Sequence, residues 1–152
     1  MVNSKSHRKG LYTPINKQKY VGDITSIRYL SSWENQVCKW ADLNPDIEYW
    51  GSEINIVKYV CPSDGGVHRY IIDFTFKYKN GKVLLVEVKP ANQTILPKAS
   101  KGKKKSTLLT ENLVFMKNVS KWRAANTYAE ENGAKFVIWT QDSLRKMGIN
   151  VG

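Results

Sequence analysis

Cysteine and histidine are scarce in this chain, two of each in 152 residues. Cys38 and Cys61 fall in different expected elements and form no CxxC pair, which leaves neither a zinc ribbon nor a disulfide framework; both read as reduced, packed thiols. His7 and His68 are too few for a structural zinc or an HNH-type nuclease centre, so any catalytic metal would have to be held by carboxylates. Long apolar runs are missing too. No stretch approaches the roughly 20 residues of a membrane-spanning helix, and Met1 to Lys9 is polar and basic without the apolar stretch of a signal peptide. A protein soluble and cytoplasmic at synthesis, without a membrane partner, is expected. Acidic residues are in deficit as well, 13 against 24 Lys and Arg, for a formal charge of +11 and a pI near 9.7. That balance points to a polyanionic partner, nucleic acid first, but chooses no activity by itself.

What is present is enough for one domain with a core, at 41% hydrophobic and 11% aromatic residues. Residues 1–23 are polar, rich in Lys, Arg, Gly and Pro, and without periodicity. They read as an extended basic arm carrying Arg8 and Lys9, ahead of a single domain over residues 24–152. Ser31 stands in capping-box spacing to Glu34, and Trp33, Val37, Trp40 and Ala41 share one face, so a helix is expected from Ser31 or Ser32 to the stop at Asn44-Pro45. Strands are expected over Glu53 to Val60, over Val67 to Tyr78 as one long element, and over Lys82 to Lys89, with turns at Pro62 to Gly66 and at Asn80-Gly81. A mobile basic loop over residues 97–107 holds Lys98, Lys101, Lys103, Lys104 and Lys105. A long helix from about Thr110 to Gly133, a strand over Lys135 to Thr140 and a short helix over Asp142 to Met147 complete the order α-β-β-β-α-β-α. That order suits an α/β fold, a small mixed β-sheet flanked by helices.

Three charged groups interrupt apolar strand sequence in Tyr70-Ile71-Ile72-Asp73-Phe74 and Val86-Glu87-Val88-Lys89, and charges in such places need a reason. A two-residue loop at Asn80-Gly81 would set Asp73 against Val88 and Phe74 against Glu87, mixing charge with core. A three-residue loop, Lys79-Asn80-Gly81, with Gly81 left-handed, pairs Asp73 with Glu87 and Ile71 with Lys89. Phe74 then meets Val86, Phe76 meets Leu84 and Ile72 meets Val88 on an apolar face, which leaves Asp73, Glu87 and Lys89 on the other. Facing carboxylates repel unless one is protonated or a cation sits between them. All-oxygen ligation suits Mg²⁺, with Mn²⁺ as a substitute, better than zinc. With Lys89 to offset charge on a phosphate, the natural reaction is phosphodiester hydrolysis. The competing reading is a solvated edge strand, with Asp73 paired to a surface lysine.

Asp73 and Glu87-x-Lys89 on neighbouring strands, after a helix bearing Glu34, resemble the PD-(D/E)xK nucleases, with Ile72 where that pattern has proline. Tyr29-Leu30-Ser31-Ser32-Trp33-Glu34, Trp50-Gly51-Ser52-Glu53, Asp73-Phe74, Glu87-Val88-Lys89-Pro90, and the arm segments Tyr12-Thr13-Pro14 and Lys19 to Asp23 are more narrowly similar to the head-completion nucleases of large contractile-tailed bacteriophages. A broader likeness is to the endonuclease subunit of certain transposases. The resemblance implies a restriction-endonuclease-like core, Mg²⁺-dependent DNA cleavage, and a role in head completion, either processing packaged phage DNA ends or preparing filled heads for tail joining. It also implies partners among capsid portal or neck proteins, in the host cytoplasm or on the virion. Asp73 and Glu87 carry over as catalytic metal ligands and Lys89 as the catalytic lysine. Glu34 carries over as a further metal or metal-bound-water contact, against a purely capping role. Asn118 and Lys121 lie where the class places a polar residue facing the active site, or else on solvent-facing helix surface. Arg8, Lys9 and the lysines of the 97–107 loop are candidate phosphate contacts, or solvated linker. The alternative to an enzyme is a non-catalytic DNA-binding head-assembly protein with a nuclease-like fold; an RNA-binding accessory protein is a distant third, with no RRM signature or GXXG loop behind it.

Overall fold

The computed structural model describes residues 9–152. Gly10–Leu11 (β1) pairs with Arg28–Tyr29 (β2), after which Ser32–Leu43 forms the first helix (α1). The helix starts where expected: Ser31 is its N-cap, and its hydroxyl accepts the Glu34 N–H at 3.2 Å. Trp33, Val37, Cys38 and Ala41 are buried along it, and burial pushes the Cys38 thiol well above its ordinary pKa, as befits a packed cysteine. The chain then runs through Ile47–Ser52 (β3), Ile56–Val60 (β4), Val67–Ile71 (β5), Phe74–Tyr78 (β6) and Val83–Val88 (β7) to a long helix, Lys105–Glu131 (α2), a strand, Lys135–Trp139 (β8), and a short helix, Gln141–Lys146 (α3).

The central sheet has the order β3-β6-β7-β8, with β3, β6 and β7 antiparallel and β8 parallel to β7. This is the mixed α/β architecture expected, with differences in its strands: the short pair β1–β2 is not expected from the sequence, and the strand expected over Glu53 to Val60 begins at Ile56. β3 is not expected from the sequence, because Glu48, Gly51 and Ser52 dilute its apolar pattern; at Gly51 a Cβ would displace the Ile54 side chain. The expected single strand over Val67 to Tyr78 is two strands. β5 pairs with β4 in a separate ribbon, and the chain breaks at Ile72-Asp73 before β6 joins the sheet. Glu53, the one non-glycine residue with positive φ (57°) among those described, turns the chain at the facing corner and donates its N–H to the Asp73 carbonyl at 2.9 Å.

The expected register of the β6–β7 hairpin holds where the two strands pair: Phe74 opposes Val86 and Phe76 opposes Leu84. Its loop is Lys79-Asn80-Gly81, with Tyr78 N–H donating to the Lys82 carbonyl at 2.8 Å and Gly81 at φ 92°. Ile72 departs from expectation. Instead of joining Phe74 and Val88 it packs with Tyr59, Tyr70, Leu85, Ala125 and Ala129 beneath α2, because the break frees it from the β6 ladder and its N–H goes to the Asn55 carbonyl. The opposite face of the sheet packs Trp50, Phe74, Phe76, Val86 and Val88 against α1 and Leu144 of α3. Phe76, fully buried, stacks on Trp139 and meets the edge of Trp40; truncating it to alanine would cost about 3–5 kcal/mol.

The basic segments are also more ordered than their composition suggests. α2 begins at Lys105 rather than near Thr110, so Lys105, Ser106 and Thr107 of the expected 97–107 loop are helical. Lys103 is tied to Glu111 at 2.8 Å and to the Lys98 carbonyl at 2.9 Å. Gly133, at φ 67°, follows the end of the helix as expected. From Gly10 onward the expected arm is docked. Asp42, fully buried, accepts the Tyr12 hydroxyl at 2.6 Å and the N–H groups of Ile15 and Asn16 at 2.7 and 2.9 Å. Lys19 donates to the carbonyls of Ala41, Asp42 and Asn44, where a cation opposes the C-terminal end of the helix dipole. Tyr20 packs edge-on against Trp50 at 4.7 Å. Arg8 and His7 lie outside the described residues.

Candidate active site

Alternation along β7 sends Leu84, Val86 and Val88 toward α1 and leaves Leu85 and Glu87 toward α2. Glu87 is buried, and its two carboxylate oxygens have different neighbours. Oε1 accepts the hydroxyl of Tyr70 at 2.8 Å, while Oε2 lies 3.5 Å from Lys89 Nζ. Lys89 follows the end of β7, its N–H bonded to the Trp139 carbonyl, so the backbone of the neighbouring strand fixes the base of a side chain whose tip still reaches solvent. Asp73 sits at the break before β6. The expected continuation of the ladder, Asp73 opposite Glu87 and Ile71 opposite Lys89, is not made, since pairing stops at Phe74–Val86. Asp73 uses its side chain instead: Oδ2 accepts the N–H of Val88 at 2.8 Å. Its carboxylate is therefore bonded to the residue between Glu87 and Lys89.

Tyr70 joins these groups electrically. Burial raises its phenol above the ordinary range, and the negative charge of Glu87, the hydrogen bond to it and the charge of Asp73 raise it further. The hydroxyl thus stays protonated, and it donates. Lys121 of α2 lies above the same wall, its Nζ 5.6 Å from the Tyr70 ring centroid and 5.9 Å from that of Tyr59. Burial lowers its pKa, the charge of Lys117 lowers it further, and the field of Glu87 works in the opposite direction. Lys121 is half-buried over these two rings.

Asn118 lines a groove between α2 and the segment after β7, beside Ile95, Leu96 and Phe115. Glu34 is buried at the start of α1, where its carboxylate accepts the Leu30 N–H and the Ser31 hydroxyl, each at 3.2 Å. Arg28 feels the charge of Glu34 and forms an ion pair with Glu53 at 2.7 Å, next to the Glu53 N–H that holds the Asp73 carbonyl. Lys9, Lys98, Lys101, Lys104 and Lys105 are exposed, whereas Lys103 is half-buried in its pair with Glu111.

Sequence reasoning missed Tyr70, although a tyrosine on the buried face of a strand must place its hydroxyl somewhere, and Glu87 was an available acceptor. It also missed a grouping at the β4–β5 turn, where ligand atoms of Cys61, Asp64 and His68 lie within 4.8 Å of one another. There Asp64 accepts the Gly66 N–H and meets His68 Nε2, each at 2.8 Å, contacts that close the hairpin.

Residues 44–141 match the family model described as TnsA-like endonuclease N terminal. The chain belongs to this family, an endonuclease family of the PD-(D/E)xK type, and is accordingly a nuclease. Asp73, Glu87, Lys89 and Lys121 fall inside the matched segment, and Glu34 precedes it. Among curated proteins the chain is similar to the head completion nuclease of Enterobacteria phage T4, with 37% identity over 142 residues, 91% of this chain and 95% of that protein. No solved structure matches it.

Proposed function

We propose that this nuclease is a Mg²⁺-dependent DNA endonuclease that processes packaged phage DNA ends during head completion, built on a restriction-endonuclease-like core. The observation that carries the reading is the meeting of three groups at the end of β7: Glu87, Lys89 3.5 Å from its Oε2, and the Asp73 carboxylate on the intervening N–H. The donor set fits a hard divalent cation, since Asp73 and Glu87 offer carboxylate oxygens and no thiol or imidazole stands among them. Asp73 and Glu87 would hold the ion, with Glu34 as a further carboxylate from α1. Bound Mg²⁺, or Mn²⁺ in its place, supplies a Lewis acid for a phosphoryl oxygen and a more acidic water.

The remaining work falls to side chains. Lys89, beside Glu87, offsets the charge that builds on phosphate as water adds to phosphorus and one ester P–O bond breaks, the departing oxygen taking up a proton. Lys121 adds a second cation, which its low-dielectric surroundings make more effective. Lys9, Lys98, Lys101, Lys104 and Lys105 provide phosphate contacts of little sequence preference, with Lys103 already engaged by Glu111 and Asn118 a polar residue in the groove beside α2. Portal or neck proteins of the phage head are the protein partners, met in the host cytoplasm or on the virion.

Plasmid nicking across Mg²⁺, Mn²⁺ and chelator, beside Asp73→Ala, Glu87→Ala and Lys89→Ala, tests the reading. Cleavage should need the cation and disappear in all three variants while the fold persists. Wild-type nicking rates in the variants would refute it. Tight, salt-sensitive DNA binding with no cleavage of any substrate would favour the non-catalytic head-assembly alternative.

A further inference from the structure

The geometry assigns Tyr70 as the positioning residue of the metal-holding carboxylate: its hydroxyl occupies Glu87 Oε1, so that Oε2 alone is presented to the cation. The assignment rests on the reading of Glu87 as a metal-holding residue. Three features of the chain support it. The hydroxyl meets Oε1 at 2.8 Å with both residues buried, so water offers Glu87 no easy substitute. The ring is buried in the cluster that Val57, Tyr59, Ile72 and Ala125 form under α2, with Lys121 Nζ 5.6 Å from its centroid. The hydroxyl therefore has little freedom to follow Glu87 elsewhere. Finally, Oε2 faces the Lys89 ammonium at 3.5 Å, a contact an incoming cation can displace because the lysine tip reaches solvent. A hydrogen-bonded partner of this kind sets the orientation of a ligating side chain, and its loss typically weakens metal binding by about 10- to 100-fold.

Tyr70→Phe removes the hydroxyl and keeps the ring. The direct readout is Mn²⁺ binding to the intact, DNA-free protein, followed by electron paramagnetic resonance or calorimetry, with melting temperatures recorded alongside. Tyr70→Phe is expected to weaken Mn²⁺ by about tenfold or more. Leu144→Ala, which removes packing from the opposite face of the sheet, away from Tyr70 and Glu87, should lower the melting temperature and leave Mn²⁺ affinity within twofold. Glu87→Ala separates the two readings. If it abolishes Mn²⁺ binding while Tyr70→Phe binds like wild type, the Tyr70 assignment is overturned and the metal reading stands; if Glu87→Ala also binds like wild type, both fall. A measurement on the unaltered protein covers the case in which Tyr70→Phe does not fold. In wild-type crystals soaked with Mn²⁺, the anomalous peak should lie on the Oε2 side with the Tyr70 hydroxyl still on Oε1, and an ion chelated by both oxygens with Tyr70 displaced would overturn the assignment.

Discussion

Asp42→Ala should detach the segment from Gly10 to Tyr20 and cost the protein a large part of its stability. The carboxylate is fully buried and accepts three hydrogen bonds from that segment, at 2.6, 2.7 and 2.9 Å. Bonds to a charged group contribute about 1.5–3 kcal/mol each. The donors on Tyr12, Ile15 and Asn16 lie near the surface and can recover water once released, so the sum is smaller than three independent losses, about 3–5 kcal/mol. For a chain of this size that is a fall in melting temperature of about 6–20 °C, read by calorimetry. Acidity provides an independent check. Burial alone would raise the Asp42 carboxyl, but the hydrogen bonds from Tyr12, Ile15 and Asn16 together hold it below its ordinary value. A carboxyl whose folded pKa is depressed contributes stability that is present above the unfolded pKa, about 3.9, and is lost as pH falls through the folded value. The gap between wild type and Asp42→Ala should therefore be full at neutral pH and narrow below about pH 4. A variant that melts within about 2 °C of wild type at pH 7 would refute the view that Asp42 organises this segment.

Glu34→Gln keeps an oxygen for the Leu30 N–H and should melt like wild type yet nick DNA at least tenfold more slowly; unchanged nicking would leave Glu34 only its capping role. Replacing Lys98, Lys101, Lys104 and Lys105 by alanine together should flatten the dependence of DNA affinity on salt, by about 0.9 in log–log slope for each phosphate no longer neutralised, measured by fluorescence anisotropy. Lys103→Ala should change that slope least, because its ammonium is already paired with Glu111, and an equal effect would contradict that pairing. Lys121→Met should preserve the fold and lower single-turnover cleavage by about tenfold to a hundredfold; a wild-type rate would place Lys121 outside the chemistry.

The parts of the fold legible in the sequence are those written in neighbouring residues. The Ser31–Glu34 cap located the start of α1 to within a residue, and sorting charge from core across Asp73, Phe74, Val86 and Glu87 selected the Lys79-Asn80-Gly81 loop. The unread parts depend on partners far along the chain. β3 is held by pairing to β6 rather than by its own alternation, so its polar residues hid it. Lys105 joins α2 although its composition resembles the loop before it, because the helix begins where Lys103 is tied back to Glu111. The segment before α1 looks featureless until Asp42, one acid among others in the sequence, proves to be its anchor.

By itself the sequence determined the chemistry available to this protein: which strands carry carboxylates and a lysine, in what spacing, in a chain with excess positive charge and almost no soft metal ligands. Those are properties of residue type and short-range period, which survive without knowledge of long-range contacts. The tertiary structure decided how those groups stand to one another. It broke the ladder at Ile72-Asp73, so that Asp73 reaches β7 through its side chain, and it set Tyr70 on Glu87 with Lys121 over the tyrosine ring. The Tyr70 hydroxyl comes to 2.8 Å from Glu87, and Lys121 Nζ to 5.6 Å from the Tyr70 ring centroid, only after loops have closed between β5, β7 and α2. No local pattern encodes that closure.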